Sequence, residues 1–452
     1  MTTGYLKIFG LDTDDIEAHP MTTTYADFLA SKQKAIRPAG TEVDTASIHP
    51  FLHDWQKQVV QWAVRVGRCA LWEHTGLGKT IQQVEWARLS GDTSLIIAPL
   101  AVSHQTIREA TKIGVAARYV RSGDHVTGPG VWVTNYEMAD RFNPEAFDAV
   151  VLDEASILKA HDGKTRTALI RQFADVPRRL TCTATPAPND PEELTNQAEF
   201  LGVASRVDML ATYFIHDDEG WRLKSHATRP MYQWMATWAL AMRRPSDLGY
   251  PDGDYQLPGL DIIPELLPVD IDAPGQLFAT DLGGVGGRAK VRKQTLEARC
   301  EHAASLVAKE PDEPWLLWCG LNDEAQTLAR LIPGAVNVHG SMPPDEKAAT
   351  LLAFADGDIP VLVSKPSIAG HGMNFQRCAR MAFVGLDDSW EKYFQAIRRC
   401  HRYGQTRRVH AHLVLSELEQ QIAVNLAKKE HQADQLIDGL VTAMRATPTE
   451  AA

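Results

Sequence analysis

No stretch of the 452 residues is apolar for the roughly 18 residues a membrane-spanning helix needs, so no span and no membrane partner are expected. The opening MTTGYLKIFGLDTDD lacks a basic leader followed by an apolar stretch, so secretion is not expected. Cysteine is sparse. The six (Cys69, Cys182, Cys300, Cys319, Cys378 and Cys400) are scattered without a CxxC pair, which disfavours zinc and suits reduced thiols in a cytosolic protein. An excess of positive charge is missing too, the formal net charge being −11. That excludes a protein coated in lysine and arginine but not a local basic groove, so nucleic-acid contacts must be argued from particular residues.

What is present is an ordinary globular composition, 44% hydrophobic and 23% charged. The length exceeds what one core serves, so two or three domains are expected. After a mixed arm over 1–46, residues 47–200 alternate short apolar runs (CALWE, TSLIIAPL, GVWVTN, FDAVVLDE) with helix-like sequence. Such alternation predicts a parallel sheet with helices on both faces. Residues 201–300 break the rhythm with Trp221, Trp234 and Trp238, the turn-rich SDLGYPDGDYQLPG and then GGVGG, and read as an insertion and linker. The alternation resumes over 301–452 with PWLLWCG, AVNVHG, IPVLVSKP, RMAFVGL and VHAHLVL, and a last helix over about 417–442 is expected to pack on this second lobe. The expected fold is therefore α/β, two parallel-sheet lobes in tandem with a ligand cleft between them.

EHTGLGKT at 73–80 follows a strand and opens a helix. In a phosphate loop, backbone N–H groups and the helix N-terminus cradle the anion and a lysine neutralises the outer phosphates. Thr75, Gly76, Leu77 and Gly78 would line that cradle, Lys79 would reach the β- and γ-phosphates, and Thr80 would bind Mg²⁺. The strict pattern wants glycine where Glu73 stands. VVLDEAS at 150–156 ends an apolar strand in two carboxylates; Asp153 suits Mg²⁺ and Glu154 suits an attacking water. Thr183 and Thr185 in LTCTATPAPND are placed to bond that pair, or belong to a β-branched strand with polar edges.

In this order the motifs resemble those of superfamily-two helicases, and among them the Swi/Snf-like DNA translocases, particularly compact phage and prophage members. PFLHDWQKQVVQWA (50–63) is similar to the glutamine motif, which implies that Gln56 reads adenine. HTGLGKT is similar to motif I, LIIAPLAVSHQ (95–105) to motif Ia, VTNYE (133–137) to the DNA-side motif after it, DEAS to motif II and TATPAPN to motif III. SIAGHGMNFQRCARMAFVGLDDSW (367–390) resembles motif V and its sequel, and QAIRRCHRYGQ (395–405) resembles motif VI. Together they cover most of residues 50–440 apart from 201–300. Motif VI ends in HRYGQ, the form similar to double-stranded DNA translocases, whereas DEAD-box proteins close theirs with a second glycine–arginine pair.

The resemblance implies RecA-like lobes, ATP with Mg²⁺, and a DNA-dependent ATP hydrolase in the cytoplasm of a bacterial or phage-infected cell. It also implies duplex DNA as partner; since no nuclease or methyltransferase motif is apparent in the sequence, a nuclease, methyltransferase or replication partner is expected to supply such chemistry. A nucleotide-gated DNA-binding scaffold with little turnover and an RNA helicase are the competing readings. WEKYFQAIRRCHRY reads as one helix stopped at Gly404, with Gln395, Arg399 and Arg402 on one face. The family pattern gives the arginine-finger role to Arg399 and Arg402, while Arg398 reads as a surface or DNA-side residue. Gly370, His371 and Gly372 form a tight loop suited to coupling the DNA and ATP sites, with Gly372 also beside the nucleotide. Candidate backbone contacts to DNA are Ser103, His104, Gly340, Ser364 and Lys365. RAKVRKQ (288–294) reads equally as a DNA-facing patch or a solvated linker, and the three tryptophans read as core ahead of a base-stacking platform.

Overall fold

Strands buried on both faces need continuous apolar runs, and the run after each helical stretch supplies one. The computed structural model describes residues 38–160, 163–218, 220–268, 292–369, 374–386 and 389–446. In the first lobe these are β1 (Arg68–Glu73), β2 (Thr93–Ala98), β3 (Arg118–Tyr119), β4 (Gly130–Asn135), β5 (Ala149–Asp153) and β6 (Arg178–Thr183). An antiparallel hairpin, β7 (Phe214–Asp217) with β8 (Gly220–Leu223), stands apart from that sheet. Then come β9 (Ala239–Met242) and β10 (Leu260–Leu267). The second lobe adds β11 (Trp315–Trp318), β12 (Ala335–Val338), β13 (Val361–Ser364), β14 (Arg380–Phe383) and β15 (Val409–Ser416). The sheets run β3-β4-β2-β5-β6-β1-β9 and β10-β15-β14-β11-β13-β12. Every pairing within them is parallel, the α/β arrangement expected of two RecA-like lobes.

The segment read as insertion and linker is shared between the lobes. β9 extends the first sheet beyond β1, pairing Ala70 with Ala239 through Glu73 with Met242. β10 forms an edge of the second sheet on β15, from Leu260 opposite Val409 to Leu267 opposite Ser416. Pro264 is tolerated there because an edge strand has one side free of ladder bonds. Trp234 and Trp238 are buried, and Trp238 lies edge-on to Trp72 at 5.7 Å and to Trp234 at 5.4 Å, so both are core. Trp221 is half-buried on β8, edge-on to His216 at 4.9 Å. GGVGG and residues 288–291 of RAKVRKQ lie outside the described residues, whereas Arg292 pairs with Glu419 at 3.2 Å.

The last helix, Gln420–Ala446, does not stay on the second lobe as expected. Its first turns bury Ile422 and Leu426 in the second-lobe core. Farther along, the Ala241 N–H points at Met444 Sδ at 3.3 Å, and Arg445 Nη2 donates to the Ser246 carbonyl at 2.7 Å. An apolar stripe shows which helix face is covered and not by what, and here one stripe meets two surfaces. The crossing is close at Gly439, where a Cβ would stand 2.2 Å from the Tyr232 ring of the helix Thr228–Met235. Gly439→Val is therefore expected to cost about 1–3 kcal/mol by overpacking, read as a lowered midpoint in denaturant unfolding.

Candidate functional site: an inter-lobe nucleotide cleft

The expected phosphate-site residues gather at the C-terminal edge of the first sheet. EHTGLGKT leaves β1, Asp153 ends β5, and Thr183 ends β6, the strand between them. Two loop glycines adopt left-handed backbone, Gly76 at φ 91° and Gly78 at φ 82°. Each also meets a neighbour. A Cβ on Gly76 would be 2.8 Å from the Tyr403 ring, and one on Gly78 would be 2.6 Å from Gln56 Nε2. Gly78 caps the helix Lys79–Leu89, whose first-turn N–H groups and dipole favour an anion. Lys79 Nζ donates to the carbonyls of Glu73 at 2.7 Å and His74 at 3.2 Å. Thr80 is half-buried beside it, and Thr75 Oγ1 and His74 Nδ1 are buried without hydrogen-bond partners.

Gln56 is buried, and its amide is engaged within the protein. Its carbonyl oxygen accepts from His53 N at 3.0 Å, closing the start of the helix Asp54–Val66, and its Nε2 donates to the Leu77 carbonyl at 2.9 Å. It thus ties the glutamine motif to the phosphate loop.

Asp153 and Glu154 are adjacent carboxyls withdrawn from water. Burial, then the charge of Glu154, pushes Asp153 up to about 6. Burial also raises Glu154; Lys79 pulls it down, Glu391 lifts it, and Arg399 and the Thr183 hydroxyl pull it down again. Two of those neighbours, Glu391 and Arg399, belong to the second lobe, so Glu154 sits where the lobes meet. Lys159 in the first lobe and Glu391 in the second form an ion pair close by. Thr183 and Thr185 are buried and bonded to each other, the Thr185 N–H donating to Thr183 Oγ1 at 3.0 Å.

The motif VI helix is shorter than its sequence suggests. It spans Trp390–Ile397 and then breaks into turns that mix i→i+3 bonds, Arg399 N to Ala396 O at 3.2 Å and Cys400 N to Ile397 O at 3.1 Å, with one i→i+4 bond, His401 N to Ile397 O at 2.9 Å. The single-face argument for Arg402 therefore fails, although Arg399 and Arg402 remain neighbours. Burial, then the Arg402 charge, lowers Arg399 to about 10, with Glu154 opposing. Gln395 orients this arginine: its backbone carbonyl accepts from Arg399 Nε at 3.0 Å and its Oε1 from Nη2 at 2.9 Å. Arg402 Nη1 donates to Asn374 Oδ1.

Arg398 is half-buried and faces the cleft side rather than open solvent. Its guanidinium stacks 4.8 Å above the Phe394 ring and donates to His401 Nδ1 at 3.0 Å. It also lines a cavity of about 620 Å³ with His74, Tyr255, Tyr403, Glu430 and Asp434. The His401 Nε2 donates to the Pro258 carbonyl at 2.8 Å, which leaves Nδ1 as the acceptor; burial, then Arg398, lowers this ring to about 4. Tyr403, packed on Gly76 and hydrogen-bonded to the Arg243 carbonyl, joins the lobes across the cleft. Nothing local in HRYGQ marks that tyrosine as a cleft residue, since only tertiary contact places it over the loop.

Two proposed DNA contacts are withdrawn on burial. Ser103 is fully buried with its hydroxyl 3.2 Å from the Pro99 carbonyl, and Ser364 is fully buried and donates to the Val338 carbonyl at 2.8 Å. Both hydroxyls satisfy internal carbonyls and present nothing to a ligand. His104 and Gly340 are exposed and Lys365 is half-buried. Gly370, His371 and Gly372 lie outside the described residues.

A lysine-bearing phosphate loop, a carboxylate pair and second-lobe arginines brought to one cleft define a superfamily-two helicase-type core. Family models agree: that for an SNF2-related domain matches residues 51–212, and that for a helicase conserved C-terminal domain matches residues 299–404. The chain belongs to the Snf2-like helicases of that superfamily. It is 30% identical over 166 residues to the DNA annealing helicase and endonuclease ZRANB3 of Mus musculus, and 29% identical over 175 residues to that of Bos taurus. Those matches take in 32% and 34% of this chain, which spans only 16% of the length of either relative. Protein p41 of Acyrthosiphon pisum secondary endosymbiont phage 1 is 23% identical over 426 residues, covering 79% of this chain and 89% of p41. Among solved structures, the Sulfolobus solfataricus SWI2/SNF2 ATPase core in complex with dsDNA aligns at 17% identity and a TM-score of 0.44, covering 91% of this chain and 98% of that one.

Proposed function

We propose that the chain hydrolyses ATP in the inter-lobe cleft and uses the cycle to move on or remodel duplex DNA. The observation carrying this reading is the setting of Glu154, within electrostatic reach of Lys79 from its own lobe and of Arg399 from the other. A nucleotide switch without turnover has no need of all three.

The residues fit Mg²⁺ with a nucleotide. Mg²⁺ is commonly held by one or two carboxylates plus phosphate oxygens, and two buried carboxyls with raised pKa values suit a cation that would draw both down. Thr80 and Asp153 would hold it, and when bound it supplies charge neutralisation on the phosphates. Lys79 leaves the loop carbonyls for the outer phosphates, and the loop N–H groups hold the remainder. Glu154 orients the attacking water and accepts its proton, while Arg399 and Arg402 stabilise charge on the transferred group. Because these arginines come from the second lobe, turnover requires a closed cleft, and product release permits reopening. That cycle steps the protein along DNA when each lobe grips the backbone; exposed His104 and Gly340 and half-buried Lys365 are the remaining candidates for that grip. The cytoplasmic setting goes with this reading, and all six cysteines are buried free thiols.

Steady-state ATP hydrolysis titrated with duplex DNA, single-stranded DNA and RNA tests it. The expected result is several-fold stimulation by duplex DNA above the other two. Stimulation by RNA alone would make this an RNA helicase, and DNA binding without turnover would make it a scaffold.

A further inference from the structure

The head of the phosphate loop carries a glutamate where the strict pattern has glycine. Glu73 ends β1 and is fully buried. Its Oε2 accepts from Gln82 Nε2 at 2.8 Å, and the same amide donates to the Leu77 carbonyl at 3.2 Å, the oxygen that Gln56 also holds. Its own backbone carbonyl accepts from Lys79 Nζ at 2.7 Å. One residue therefore engages the loop through both backbone and side chain. The other carboxyl oxygen, Oε1, is buried without a hydrogen-bond partner, an arrangement that is costly unless it serves a neighbouring charge.

The groups that feel this carboxyl come from several elements: Lys79 and Gln82 from the helix that follows the loop, Cys182 from β6, and Tyr255 from the approach to β10. Lys79 is the one cation among them. Burial pushes the Glu73 carboxyl up to about 7, while Lys79 and the Gln82 hydrogen bond pull the other way.

We propose that Glu73 is a positioning residue that keeps Lys79 on the loop carbonyls between cycles and so sets how readily the lysine passes to the phosphates. This rests on the ATP reading above. An ionised Glu73 competes with phosphate for Lys79, whereas a neutral one does not. Glu73→Gln removes the charge and keeps an oxygen that accepts from Gln82. Glu73→Ala removes both, and Glu73→Asp keeps the charge.

The test is nucleotide affinity by direct titration with ATP and Mg²⁺ at pH 6 and pH 8, with thermal unfolding alongside. At pH 8, Glu73→Gln is expected to bind about three- to tenfold tighter than the unsubstituted chain, and Glu73→Asp close to it. At pH 6, where Glu73 is largely protonated, Glu73→Gln and the unsubstituted chain are expected to converge. Glu73→Ala, which leaves Gln82 without its acceptor, is expected to bind more weakly at both. Equal affinity of Glu73→Gln and the unsubstituted chain at pH 8 overturns the proposal, as does weaker binding by Glu73→Gln and Glu73→Ala alike, which marks a merely structural role. Should Glu73→Gln not fold, an Asp variant binding as Ala does at pH 8 overturns it instead. If the unsubstituted chain binds no nucleotide, the ATP reading itself falls, a result distinct from all of these.

Discussion

Arg399→Ala is expected to leave nucleotide affinity within a few-fold of the native chain while cutting ATP turnover by roughly 10³–10⁵-fold, the range for arginine fingers in phosphoryl transfer. The structure supports so large an effect because the guanidinium is already oriented. Gln395 accepts from it with both its backbone and side-chain oxygens, and its position places it near Glu154. Although burial and Arg402 lower its pKa to about 10, it remains charged at neutral pH. Its charge therefore acts where negative charge grows in the transition state, and the ground-state complex retains Lys79 and the loop N–H groups. Arg399→Lys is not expected to restore turnover, because an ammonium lacks the planar fork that meets two phosphate oxygens. Nucleotide titration together with steady-state hydrolysis separates the two quantities. Loss of DNA binding with turnover intact would show that the arginine serves the other face of the lobe.

The phosphate loop was readable because its chemistry is local. The glycine at 78, the lysine and the following helix define an anion cradle wherever a strand precedes them, and DEAS after an apolar run sets two carboxyls at a strand end. That Thr183 lies on a strand also followed from pattern, whereas the place of that strand between β1 and β5 did not. The failures share a cause. The hydroxyls of Ser103 and Ser364 looked available because sequence does not reveal which carbonyl lies above a side chain. Arg398 looked like a surface residue because a helical period shows that it lies off the Arg399 face but not that Glu430 and Asp434 of the terminal helix and His74 of the first lobe surround that second face. The terminal helix showed its apolar stripe but not the two lobes that share it. β9 and β10 were missed because both are edge strands completed by partners far away in sequence, β9 being only four residues long and β10 interrupted by Pro264. Tyr403 over Gly76 is the same problem in miniature: the glycine was expected for phosphate, and the tyrosine gives it a second reason to lack a side chain.

Glu154→Gln is expected to cut turnover by roughly 10²–10⁴-fold, the usual contribution of a positioned acid–base group, and to leave nucleotide and DNA binding near native. The argument starts from the backbone. At φ 55°, Glu154 is the one non-glycine residue with positive φ among the described residues. Such a conformation costs about 1–3 kcal/mol and persists where the surroundings over-determine it. Here it turns the chain sharply after β5, so that Asp153 ends the strand and Glu154 heads the short helical turn Ala155–Leu158. The carboxyl it delivers has Oε2 buried without a partner, facing the cleft that Lys79 and Arg399 share. A base that must take a proton from water needs that free oxygen, and glutamine keeps its shape while removing its proton affinity. Glycine at the same position separates the two properties. Glu154→Gly would relieve the strain and remove a buried carboxyl, so its unfolding free energy is expected to rise by about 1 kcal/mol while hydrolysis is lost. Denaturant unfolding beside an ATPase assay measures both. A glycine variant that is less stable than the native chain would mean that Glu154 holds the fold together, and its conformation would then need a structural explanation in place of a catalytic one.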